Sequence, residues 1–503
     1  MKGQRSLLMK GAAWVSAGSV FANLLGFVSL IVLTRMLLPE DFGLVAIAAS
    51  FAEIVAAITQ LSFGAALIQR SEVSKVHFDT AWSMSAVRGV IVALILVGTA
   101  PLVANFYGDE RLEGLLLLLA ASPIIWGLMN PKLVIFKRRL DFRQDFLMGV
   151  VGKVATFVVS VTIALVYKSY WALIAGAIAG SVSSLIMSYI LIPYRPRVSF
   201  AAWRDLFSFS IWLTLGTWVQ TLNWRSTPLL LGYFLPTALL GQQRVGAKLL
   251  NKSVNEVVQP IKAILFPAFS RLQDEAARLR GGYIRSQGTI CLITFPIAMG
   301  FALLAEEIII IAVGEKWLPA APIVQILAVT RIVQSMQNVN ALAMAKGSTK
   351  DLFYRDLLMF GVRWPLVLGG LYLGREDQYS MLIGAMLGQA LAAFIGAYLN
   401  MSLIAKVSSI SILDHARFVW RPLVSLAAMA AVVILAREAL PTLQGWTQIL
   451  AGTLLLTGLG AATYFGSLYV LWIANGGQDS IEKELTLITR GLASKAIAKI
   501  QAR

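Results

Sequence analysis

Apolar stretches of about 20 residues, the length that crosses a hydrocarbon core of roughly 30 Å, recur along nearly the whole chain. In lipid the backbone polar groups must be paired within each segment, so repeated stretches of this length become helices. Hydropathy and breaker residues predict fourteen spans: 12–33, 42–64, 80–104, 112–130, 147–167, 170–192, 207–235, 238–268, 286–313, 320–345, 355–373, 378–403, 418–438 and 447–474. The fold class is therefore an all-α membrane protein. Of 503 residues, 58% are hydrophobic and 14% charged, whereas soluble domains carry about 25% charged residues. The first span is too long for a signal-peptide core and is read as an uncleaved helix.

The net charge of +17 would suit a nucleic-acid partner only if it clustered on a folded surface. Instead the basic residues concentrate in alternate short connections: the N-terminus, Lys132 to Arg143, Arg195 with Arg197 and Arg204, Arg271 to Arg285, and the C-terminal tail. By the positive-inside rule both termini are cytoplasmic. The outward connections are short and leave no room for an extracytoplasmic catalytic domain.

Cys291 lies inside an apolar stretch, and His77 and His415 fall in different loops. Disulfides are excluded and no metal site is expected. No P-loop, HExxH or GxSxG pattern appears, so neither hydrolysis nor ATP use is indicated and the chain reads as no enzyme. No cofactor is expected. The energy source is then a proton or sodium gradient, a partner, or the substrate gradient.

The chain repeats itself. Leu38-Pro39 with Gly43, between spans 1 and 2, is echoed by Leu235-Pro236 with Gly241, between spans 7 and 8. Gly108-Asp109-Glu110-Arg111-Leu112 is echoed by Gly314-Glu315-Lys316-Trp317-Leu318. Span 6 aligns on span 12 without gaps, with Tyr170/Tyr379, Leu173/Leu382 and Ile186/Ile395 among the identities. Two six-helix lobes follow, 1–205 and 206–405, with two additional helices over 406–474 and a tail over 475–503. Six is even, so the halves share one orientation and should be related by a pseudo-two-fold axis along the membrane normal, with a substrate site between them. The tail places Ile481, Leu485, Ile488 and Leu492 at helical spacing beside Lys495 and Lys499, as in an amphipathic helix on an anionic leaflet; a solvated tail is the alternative.

A charge at the bilayer centre costs about 2.5–3.5 kcal/mol even on a lenient scale, so intramembrane ions mark wet cavities and substrate paths. Setting aside cations within a turn of a span end, nine remain: Arg88, Lys153, Arg225, Arg244, Lys248, Lys252, Lys262, Arg331 and Arg363. Glu53 and Glu256 are the acids that clearly oppose them. On span 8, Arg244, Lys248, Lys252, Asn255, Gln259 and Lys262 form one stripe opposite Leu249, Val257, Ile261 and Ile264. Span 10 carries Arg331, Gln334, Ser335 and Asn338 on one face, and spans 1 and 2 offer Asn23, Glu53 and Gln60. A polar lining in both halves predicts a cationic central cavity for an anionic substrate, with Glu53, Glu256, Asn23, Gln60, Gln334 and Asn338 as polar or coupling groups. The competing structural roles are interface snorkelling for Arg88, Lys153, Lys262 and Arg244, and an i,i+4 pair for Lys252 with Glu256. Gly176-x-x-x-Gly180 and Gly384-x-x-x-Gly388 read as close helix packing.

The segment Thr34-Arg35-Met36-Leu37-Leu38-Pro39-Glu40-Asp41-Phe42-Gly43-Leu44 resembles the polysaccharide-transport family of the multidrug/oligosaccharidyl-lipid/polysaccharide exporter superfamily. Leu265-Phe266-Pro267-Ala268-Phe269-Ser270 and Gly314-Glu315-Lys316-Trp317 with Pro322 resemble it too, and the likeness runs from about residue 5 to 475. The resemblance implies a flippase that moves undecaprenyl-diphosphate-linked repeat units between leaflets by alternating access, for capsule, exopolysaccharide or O-antigen. It also implies encounters with polymerase and export machinery. Such proteins often carry an Asp in span 7, where this chain has Ser226-Thr227, and Gln242 stands where Tyr commonly follows Gly. The alternatives are a multidrug exporter of the same superfamily, disfavoured because cationic drugs suit acidic cavities, and an integral-membrane polymerase or glycosyltransferase, disfavoured by the short outward loops.

Overall fold

The computed structural model describes Gly18, residues 21–59, Leu67, 73–138, Asp141, 143–203, 211–408, 410–440 and 445–476. Gln60 and the predicted tail helix lie outside the described residues. Each of the fourteen predicted spans contains helix, and no strand occurs among the described residues. Among the described residues, ten helical stretches are long and apolar enough to cross a membrane, and Phe21–Met36 is a shorter apolar helix. The chain is a multi-pass membrane protein.

Among the described residues, three predicted spans are interrupted. Span 4 divides into Arg111–Leu119 and Ala121–Gly127. Pro123 explains the division, because it lacks an N–H and its ring strikes the carbonyl four residues back, that of Leu119. Span 9 divides at Leu304 into Ala276–Leu303 and Ala305–Ala312. Span 10 divides into Ala321–Ser335 and Val339–Ala345, with residues 336–338 outside both helices.

The helices gather into two compact units, Met1–Val245 with Arg375–Leu382, and Gly246–Gly374 with Ile383–Arg503. In the first, the echoed loop motifs meet. A β-carbon on Gly43 would lie 1.8 Å from the Thr237 carbonyl oxygen, and one on Gly241 would lie 1.7 Å from that of Pro39. The contact is reciprocal: each glycine admits the start of the other's helix. Leu38 N–H donates to Asp41 Oδ2 at 2.8 Å and caps Pro39–Ile58. The Gly176 and Gly180 pair likewise admits Ser160 and Thr156 of the neighbouring helix.

In the second unit Leu250, Val254, Val258 and Leu265 of Thr237–Arg271 pack with Tyr283 and Ile290 of Ala276–Leu303 and with Leu342 and Ile404. Trp317, from the second echoed loop, is fully buried. Gly108 and Gly314, corresponding positions of the two echoed loops, have φ of +68° and +101°, a region that only glycine enters readily. Asp109 beside Gly108 accepts from Arg111 Nη2 at 2.8 Å, which holds its carboxyl below the usual range.

Candidate functional site

Thr237–Arg271, the helix of the predicted stripe, is 35 residues long. Lys248 and Gln259 are exposed, while Arg244, Lys252, Asn255, Glu256 and Lys262 are half-buried. Of the predicted apolar side, Leu249 is buried and Ile261 packs against the core, but one residue departs. Val257 is exposed, and the buried ridge is Leu250, Val254, Val258 and Leu265, because a spacing of four, four and seven keeps those four residues on one face. Val257 falls between that face and the next.

In the first unit, Glu53 meets Arg225, with Oε2 and Nε 2.5 Å apart and both side chains about two-fifths exposed. Arg244 stands close enough to interact electrostatically with both. The helix Ile211–Phe234 that carries Arg225 also buries Asn223 and Thr227. Glu53 therefore neutralises one cation of this group, and Arg244 leaves it net positive.

Arg88 lies apart from that group. Its Nη2 donates to the Ala56 carbonyl at 2.7 Å and its Nε to Thr59 Oγ1 at 3.3 Å. These are end groups of Pro39–Ile58, whose last carbonyls have no partner within the helix. Lys153 is exposed alongside Val151, Val154 and Val158, on the outward side of Arg143–Tyr167. Asn23 is half-buried in Phe21–Met36.

In the second unit, Arg331 donates through Nη2 to Asn255 Oδ1 and so fastens to the stripe helix. With Lys262, Gln334 and Asn338 it lines a pocket walled by Gln287 and Thr294 of Ala276–Leu303. The pocket lies beside the break at 336–338, so Asn338 reaches it from beyond the helix end and not along one continuous face. The break also leaves carbonyls that side chains take up: Gln287 Nε2 donates to Ser335 O, and Gln337 Nε2 to Val333 O at 3.1 Å. Gln337 in turn accepts from Asn400, which accepts from Arg355 at 2.6 Å. Arg363 is 6% exposed, donates to Gln389 at 3.4 Å and lies 5.9 Å from the Trp364 ring centroid.

The predicted cations thus divide. Arg225 and Arg244 gather around Glu53, Lys262 and Arg331 share a pocket, Lys248 and Lys252 remain on the stripe, and Arg88, Lys153 and Arg363 stand elsewhere. Gln287 and Thr294 escaped notice in the sequence, although seven residues apart in an apolar span places both on one helical face.

A model of the family described as "Polysaccharide biosynthesis protein" matches residues 32–322. The teichuronic acid biosynthesis protein TuaB of Bacillus subtilis (strain 168) is 24% identical over 84% of this chain and 88% of its own. The lipopolysaccharide biosynthesis protein WzxC of Escherichia coli (strain K12) is 24% identical over 80% of this chain and 82% of its own. Among solved structures, the lipid II flippase MurJ in an inward closed conformation superposes with a TM-score of 0.72 at 14% identity, covering 91% of this chain and 98% of its own. That likeness establishes a shared fold.

Proposed function

Because the chain belongs to the polysaccharide biosynthesis protein family, we propose that it is a flippase for lipid-linked oligosaccharide, moving diphosphate-linked repeat units from the inner to the outer leaflet. The observation that carries this reading is the cationic face of Thr237–Arg271, where Lys248 is exposed and Lys252 half-buried on a helix whose opposite ridge packs against the apolar span Ala276–Leu303. A diphosphate between a polyprenol and a sugar is the anion such a face recognises, since ammonium groups bind phosphate as point charges. Relatives named for teichuronic acid and lipopolysaccharide synthesis, and the fold shared with a lipid II flippase, support the same reading.

Lys248 and Lys252 hold the diphosphate, and alternating access presents this face first to one side of the membrane and then to the other. We assign Glu53, which pairs with Arg225, the role of coupling an ion gradient to that exchange. The protein lies in the inner membrane with both termini cytoplasmic, transports without catalysing a covalent step, and delivers its cargo to a polymerase. In cells carrying Lys248→Ala/Lys252→Ala, polymer export should fall and lipid-linked repeat accumulate. Normal export without accumulation would sink the assignment.

A further inference from the structure

The pocket beside the helix break contains more positive charge than its neighbours balance. Lys262 and Arg331 both line it and are close enough for their like charges to act on one another. Among the described residues no carboxylate pairs with either one. Partly withdrawing two like charges from water without a counter-charge is unfavourable, and Asn255, the partner of Arg331, is a neutral amide.

A second observation points to an occupant. Thr294 is 0% exposed, faces this pocket, and its hydroxyl has no hydrogen-bond partner. A buried hydroxyl left unpaired is destabilising. Gln287 Oε1 is also buried and unpartnered, while its amide nitrogen is committed to Ser335 O. The free space is about 20 Å³, roughly what one water-sized particle needs. That is too little for a diphosphate. Every lining residue belongs to the second unit, so the pocket is complete within it.

We propose that this pocket binds one compact inorganic anion, a halide such as chloride, held by Lys262, Arg331 and the Thr294 hydroxyl. The anion supplies the missing negative charge and gives the Thr294 hydroxyl an acceptor. Its presence locks the stripe helix, Ala276–Leu303 and the end of Ala321–Ser335 together across the break. This assignment does not depend on the substrate reading above.

The test melts full-length purified protein in gluconate buffer of constant ionic strength while chloride replaces gluconate. The midpoint should rise saturably, as for any ligand that binds only the folded state. Lys262→Gln and Arg331→Gln should weaken the apparent chloride affinity about tenfold or more, Thr294→Val severalfold, and surface Lys350→Gln not at all. A midpoint indifferent to chloride, or a rise unchanged in all three pocket variants, overturns the proposal. Inorganic pyrophosphate should give no rise that these variants abolish; such a rise would make the pocket part of the diphosphate site and overturn the halide assignment. Should the variants not fold, bromide-soaked crystals of the unmodified protein decide. An anomalous peak between Lys262 and Arg331 supports the site, and water alone there refutes it.

Discussion

Arg88 and Arg225 carry the same guanidinium into predicted spans, and what each meets separates their roles. Arg88 closes the end of Pro39–Ile58 through Ala56 O and Thr59 Oγ1, whereas Arg225 meets Glu53 in a pair open to water. Arg88→Met removes hydrogen bonds from a charged donor, each worth about 1.5–3 kcal/mol. It should lower the melting temperature while polymer export persists at permissive temperature. Arg225→Met should do the reverse, because Glu53 is exposed enough to hydrate and half-exposed pairs contribute about 0–1 kcal/mol. Melting of the purified variants beside an export assay separates the two; an unchanged melt for Arg88→Met would remove its capping role. Hydropathy places both arginines inside spans and cannot distinguish them, since the carbonyl that Arg88 reaches is 32 residues away.

At the scale of elements, the loop motifs that resemble the family prove to be packing devices. Gly43 and Gly241 each accommodate the other's helix start at a distance where any side chain would collide with backbone. Gly43→Ala should destabilise by about 1–3 kcal/mol, the usual range for overpacking. Gly98→Ala, on a helical glycine with open space around it, should be neutral or stabilising by up to about 1 kcal/mol. Equal melting temperatures for the two variants would contradict the contact. The breaks divide by legibility. Pro123 announces the interruption after Leu119, but residues 336–338 contain no proline or glycine. That break persists because Gln287 and Gln337 take up carbonyls the helix gives up, a compensation visible only once the helices are packed.

For the whole molecule, the basic connections predict which loops face the cytoplasm, and the structure makes that prediction accessible to chemistry. Cys291 is the lone cysteine and fully buried, so the background for a membrane-impermeant maleimide should be low. Arg375→Cys should label in intact cells, and Lys350→Cys only after permeabilisation. Labelling of Lys350→Cys from outside would invert the topology. The helical class and the approximate spans were determined by the sequence alone, because lipid enforces length and backbone pairing on each segment separately. Which cations act together was not. Charge and spacing place a residue on a helix face, but whether that face meets a carboxylate, as at Arg225, a helix end, as at Arg88, or another cation, as at Lys262, depends on residues distant in sequence. Only the tertiary structure brings those partners within hydrogen-bonding range.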